Sequence, residues 1–474
     1  MLGYFPKYFS NKAIVVFLLS VIAVFIIFNN ASMPLYLYVY GIGTVILFFY
    51  GSNLLTKQWS KISPKTFENK LLWTAFIIRL LYVIIAYNMN YYLYGTYYES
   101  NVGDIDWYVQ TAFEGAQYIA EGQNIIKIWN SWGILYDDMG YILYLAIIYF
   151  LTGSISEVII PLIIKAFLGA YICVCMYRVA TRHFDEATGR MAGIFCALQF
   201  NMIWWCGSMM KEAEMCFLLA WFVDRADNIL CGRNNNVMYW IITLLVALSL
   251  YFFRTILSIC AIMSFFVAVL FVKNRIFTKK RKISLIVICS LLLLSTMGGK
   301  IYNEMNTLLE RASSDHQQTN MEWRTTREGG NSFAKYAGAT IFAPLIFTIP
   351  FPSVVYTQLD QEMQMQVGGG NYVKNVMSFF VIIFMFYMLK NKAWKNHVFL
   401  IAVLLSYLLA LVFSEFAQSG RFHMPIMGLE MLLAAAGVVY YGKSNKKLFN
   451  YFLIFEFVII IGWSWFKLAG RGLA

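Results

Sequence analysis

Apolar runs long enough to cross a bilayer recur along the chain, separated by short polar stretches. They lie near 13–28, 34–51, 71–94, 157–178, 190–208, 212–230, 237–253, 255–272, 283–298, 371–389, 397–416, 423–441 and 449–466. A helix needs about 20 residues to span roughly 30 Å of hydrocarbon, and lipid gives an unpaired backbone no partners, so these runs are expected to be helices. The pattern predicts an all-α polytopic integral membrane protein with about 13 transmembrane helices. Residues 1–474 form a single transmembrane domain on this reading, with an outer loop at 95–138 and a second outer region at 299–370.

Two stretches break the alternation. The run 139–152 is short for a full crossing and is read as a short or partly inserted helix. The run 341–357 contains Pro344, Pro350 and Pro352, which remove backbone donors and break a helix. It is expected to be an interfacial or re-entrant piece.

Charge sets the orientation. The basic stretches 56–70, 273–282, 390–397 and 442–448 are short and should face the cytoplasm, which puts the N-terminus inside and the C-terminus outside. Lys7 and Lys12 precede a first span read as uncleaved. The composition agrees, with 60% hydrophobic and only 13% charged residues. The net charge of +12 falls largely in clusters between spans, so it reports topology and no nucleic-acid partner is expected. The eight cysteines lack CxxC spacing and read as small buried hydrophobes, with neither a disulfide nor a cysteine metal site expected.

This map gathers the unusual polar residues on the outer side. Segment 98–138 carries Glu99, Asp104, Asp106, Glu114, Glu121, Asp137 and Asp138 against one basic residue, Lys127. Within it, Trp107, Ala112, Phe113, Ala116 and Ile119/Ala120 recur at roughly helical spacing, as in a helix lying on the membrane surface. Asp104 and Asp106 are expected just before that helix, where a carboxylate caps free N–H groups. Residues two apart share no helix face, so the two acids converge only on an extended or turning backbone. There they would hold a divalent cation, Mg or Mn, or one would take a proton from an attacking hydroxyl.

Cations accompany them. Lys211 with Glu212 interrupts GSMMKEAEMCF, and Arg254 lies between two apolar runs; each either snorkels to the interface or faces a site. Arg79 sits mid-span and must pair or line a cavity. In 414–428, Glu415, Arg421 and His423 cluster at a span boundary; Arg421 offers a planar fork for phosphate, and His423 is a secondary candidate metal ligand. The polar stretch 299–340 is either a solvated loop or a cover, with Arg324 or Arg327 reaching a phosphate and Gly329–Gly330 allowing movement.

An acidic pair opening the first large outer loop, followed by Tyr108, Ala112 and Gly122, resembles the GT-C glycosyltransferases, of the protein O-mannosyltransferase and aminoarabinose transferase kind. The short basic turn YRVATRHFDEATGR and the late GRFHMPIMGLEMLLAAAG are similar to elements of that superfamily. The resemblance implies a polyprenyl-phosphate-linked sugar as donor and an active site on the outer face, in a bacterial inner membrane. Asp104 matches the family's base, with Asp106 second, and Arg421 matches its late arginine. Two extra spans precede the acidic loop and no soluble domain follows the last span, so donor and acceptor do not transfer from better-known members. The expected reaction moves the sugar to an acceptor hydroxyl of a glycan, lipid or protein, with inversion if it is a single displacement. The alternatives are a polysaccharide polymerase or ligase and a lipid-linked saccharide flippase.

Overall fold

A computed structural model describes residues 3–100, 103–131, 136–153, 158–234, 236–272, 331–333, 339–356, 368–414 and 417–473, with a few isolated positions between 278 and 306. Among the described residues all regular structure is helical. The chain opens with α1 (Lys7–Ile27), α2 (Leu35–Gln58) and α3 (Pro64–Tyr94). Next come α4 (Gly103–Ala120), α5 (Ile125–Ser131), α6 (Tyr136–Thr152), α7 (Ile159–His183), α8 (Glu186–Leu198) and α9 (Phe200–Trp204). Then follow α10 (Glu212–Leu230), α11 (Val237–Phe253), α12 (Thr255–Phe271), α13 (Gly368–Lys390), α14 (Val398–Val412), α15 (Gly420–Tyr441) and α16 (Lys446–Ala469).

Among these, seven helices are long and apolar enough to cross a membrane: α1, α2, α3, α7, α13, α15 and α16. Three shorter apolar helices, α11, α12 and α14, match the runs at 237–253, 255–272 and 397–416, whereas α10, over the expected run 212–230, carries Glu212, Glu214, Asp224, Arg225 and Asp227 and is not among the helices apolar enough to cross. The outward faces carry Ile26, Val39, Tyr451 and Val458, all exposed, an apolar exterior that fits lipid and not water. Residues 284–298 of the run 283–298 and most of 299–340 lie outside the described residues.

The core is built on α15, buried along nearly its whole length between α8, α10 and α13. Its small residues Ala434, Ala435, Ala436 and Gly437 let neighbouring backbones approach. A Cβ on Gly437 would meet the Phe380 carbonyl oxygen of α13 at 2.1 Å, so glycine is required there.

The expected span at 190–208 is not one helix. It ends at Leu198, restarts as α9 and finishes in a 3-10 turn at Trp205–Gly207. Breaking a helix inside a membrane frees carbonyls that need donors, and buried cations supply them. Arg79, wholly buried, donates to the carbonyls of Ala75 (3.2 Å), Cys196 (3.0 Å) and Ala197 (3.4 Å), the last two at the end of α8. Its mid-span charge is thus committed to a helix break. Lys165 of α7 donates to Ser208 O (2.8 Å) and Met210 O (2.5 Å) and to the Tyr141 hydroxyl (2.9 Å), with Glu214 at 3.5 Å. Lys374 of α13 does the same for the proline-rich segment, donating to Phe347 O (2.7 Å) and Ile349 O (2.5 Å), with Glu430 at 3.4 Å.

That segment has one short helical turn, Ala339–Phe342, and is otherwise irregular through Tyr356. Ile349, Phe351, Val354 and Val355 are buried, and the Phe351 N–H donates to Gln418 at 3.0 Å. It is packed into protein, the condition under which non-helical backbone is tolerated at membrane depth. The run 139–152 is a helix, α6, seated against α4 and α11.

Candidate functional site

Two sequence expectations about the acidic loop change in the structure. Asp104 and Asp106 are not ahead of the helix but within the first turn of α4, where a carboxylate still complements the helix dipole. On helical backbone they diverge. Asp104 turns to Arg421, whereas Asp106 lies beside the Tyr98 hydroxyl. The apolar side of α4 is also not offered to the membrane: Ile105, Tyr108, Val109, Ala112 and Ala116 are buried, with α6 as the principal neighbour, while Trp107 faces outward.

The site forms where α4, the start of α6, the 205–211 turn, the α11–α12 junction and the start of α15 meet. Arg421 spans it, donating from Nη1 to Asp104 Oδ2 at 2.6 Å and from Nε to Glu212 Oε1. Glu212 is fully buried and its Oε2 has no hydrogen-bond partner, whereas the Asp104 side chain is 58% exposed. One acid anchors the guanidinium and the other is open to solvent. Beside them, Asp138 Oδ1 accepts from the Tyr108 hydroxyl and from Lys211 Nζ, each at 2.5 Å, and Lys211 also donates to Asp137 O at 2.6 Å. Burial pulls the Lys211 ammonium below its ordinary pKa, with Asp138 opposing. Burial and the Asp138 carboxylate together hold the Tyr108 phenol protonated.

Arg254 completes the group. Its guanidinium carbon lies 4.3 Å from the centre of the Phe422 ring, over which Arg421 also sits at 5.7 Å. The Arg254 Nε is buried without a hydrogen-bond partner, and Lys211 feels its charge. Three cations from distant parts of the sequence therefore converge beside one exposed carboxylate. Such a set can neutralise a phosphate and accept a proton.

Other expected residues lie elsewhere. His423 is fully buried and donates from Nε2 to the Ala417 carbonyl at 2.8 Å. Glu415, Arg324 and Arg327 lie outside the described residues. Among the described residues no three His, Cys, Asp or Glu side chains are grouped as metal ligands. The described cysteines are free thiols.

In the layer beneath the site, sequence reasoning counted Glu99 only among the acids of segment 98–138 and passed over Lys165 and Glu214. Glu99, buried just before α4, and the Lys165–Glu214 pair support the 208–211 turn that carries Lys211 and Glu212. The signal was present: a lysine inside IIPLIIKAFLG is as costly in lipid as Arg79. Burial pushes the Glu99 carboxyl up to about 7, with nearby Lys165 partly opposing. A carboxyl whose folded pKa is raised from 4.5 contributes stability below that value and loses it as pH rises through about 7. Glu99→Gln should therefore raise the unfolding temperature at pH 8 and leave it unchanged at pH 4, measured by thermal scans in nanodiscs. An equal shift at both values would remove titration as the cause.

No protein-family model, no curated protein and no solved structure matches this chain.

Proposed function

We propose that the protein is a membrane glycosyltransferase of the GT-C type, with about 13 crossings, working on the outer face of a bacterial inner membrane. It moves a sugar from a polyprenyl-phosphate-linked donor to an acceptor hydroxyl of a cell-envelope glycan, lipid or protein. The observation that carries this reading is the meeting of Lys211, Arg254 and Arg421 beside the exposed Asp104. The donor's phosphate sits at the interface with its tail in hydrocarbon, and positive charge at helix ends suits that position.

Arg254, which has no carboxylate partner among the described residues, meets the phosphate first. The phosphate also competes for Arg421 and releases Asp104. The acceptor oxygen then bonds to the anomeric carbon, its proton passes to Asp104, and the bond from that carbon to the phosphate oxygen breaks. The electron pair leaves with the polyprenyl phosphate, whose new charge the three cations stabilise. A single displacement of this kind inverts the anomeric centre.

A flippase for lipid-linked saccharide is the main rival, since it too needs charge inside the bundle. The buried lysines Lys165 and Lys374, however, are engaged with backbone carbonyls. The test is release of polyprenyl phosphate by the purified protein in nanodiscs, given a panel of polyprenyl-phosphate and polyprenyl-diphosphate sugars with envelope extract as acceptor. EDTA and added Mg or Mn in the same assay test the need for a divalent cation. Release identifies the transferase and its donor class. No release, with labelled lipid-linked sugar changing leaflet in liposomes, identifies the flippase. Arg254→Ala should raise the donor KM about 10- to 100-fold, the loss of a charge-assisted phosphate contact, with acceptor KM unchanged. An unchanged donor KM would remove Arg254 from the phosphate site.

A further inference from the structure

The proposed reaction leaves the acceptor open among glycan, lipid and protein, and the outward face of α4 narrows the choice. Asp104, Trp107, Gln110, Glu114 and Gln117 recur every three or four residues and are all exposed, so they form one stripe along the helix. At 1.5 Å per residue, the 13 steps from Asp104 to Gln117 give a track about 20 Å long. It starts at the proposed base. Trp107 is one turn from Asp104 and 40% exposed, an indole of this size left open beside a reacting group.

The rest of the stripe excludes lipid as its occupant. Glu114 and two glutamines would be stranded in hydrocarbon, and no lysine or arginine of α4 balances the acids against anionic headgroups. The apolar side of α4 is already satisfied by burial, principally against α6. A sugar chain fits each feature. Its axial C–H face stacks on an indole, and its paired hydroxyls bridge to amide and carboxylate oxygens, which accept, and to amide N–H groups, which donate.

We infer that the acceptor is an uncharged, polyhydroxylated glycan that lies along the exposed stripe of α4, with its reacting sugar stacked on Trp107. The inference rests on the proposed transferase reading. Trp107 selects the acceptor, and the three cations hold the donor.

The experiment measures transfer by the protein in nanodiscs to neutral gluco-, galacto- and manno-oligosaccharides and to a Ser/Thr peptide. For Trp107→Ala the acceptor KM should rise about tenfold, with donor KM and acceptor-independent release of polyprenyl phosphate unchanged, and Trp107→Phe should recover most of the affinity. Saturation-transfer NMR with the same oligosaccharides reads binding without turnover: contact in wild type and in Asp104→Asn, weakened in Trp107→Ala. Brominated lipids should leave the fluorescence difference between wild type and Trp107→Phe unquenched. The inference is overturned if Trp107→Ala keeps its acceptor KM, if no oligosaccharide binds, if the peptide alone is modified, or if brominated lipid quenches Trp107. Absence of donor release from wild type would instead overturn the transferase reading, which the NMR arm does not need.

Discussion

Asp104→Asn should lower the rate of polyprenyl-phosphate release by about 10²- to 10⁴-fold, the usual contribution of a general base. The protein should remain folded. The Asp104 side chain is 58% exposed, and an exposed ion pair contributes no more than about 1 kcal/mol. Asparagine also keeps an oxygen in the first turn of α4, and Arg421 keeps its second partner, Glu212. Asp106→Asn is the matched control, with the same change two residues on at a side chain beside Tyr98, whereas Asp104 pairs with Arg421. Its rate should stay within about threefold, well short of the loss expected for a base. Rates are read as kcat and kcat/KM with unfolding temperature recorded for each variant. Full activity in Asp104→Asn would reject it as the base; loss in both variants would point to the charge of the whole loop.

The helical layout was legible because lipid leaves a helix little choice. The runs at 237–253 and 255–272 are reproduced almost residue for residue by α11 and α12. Most of the site was also legible, since a charge at the end of an apolar run stands out. Asp104, Tyr108, Asp138, Lys211, Glu212, Arg254 and Arg421 were each singled out and lie together. Their pairings were not legible. That Arg421 holds Asp104 and Glu212 while Arg254 is left over depends on how α10, α12 and α15 cross, which local pattern does not encode. The divergence of Asp104 from Asp106 turned on where α4 begins, and a shift of a few residues at a helix end changes which acids share a face. The run 190–208 was misread for a related reason. Its apolar content is continuous, and the break after Leu198 is stabilised by Arg79, more than 100 positions earlier in the chain.

Lys165→Ala should have the largest effect on stability, about 3–5 kcal/mol, the range for removing one partner from a buried ion pair. The Glu214 carboxylate would be left buried without its cation, and the carbonyls of Ser208 and Met210 would lose their donor. Both losses fall on the turn that carries Lys211 and Glu212, so transfer should fall together with the unfolding temperature. The double variant Lys165→Met, Glu214→Gln separates the two causes. It removes the stranded charge but not the missing donor, so it should recover part of the stability and little of the activity. Because membrane proteins often unfold irreversibly, the comparison is made as inactivation rates at one temperature. If Lys165→Ala inactivates as slowly as wild type, other groups hold the turn and the lysine is tolerated in the bundle for a different reason. If the double variant recovers both stability and activity, the ammonium serves only to balance Glu214, and the hydrogen bonds to the broken helix contribute little to either.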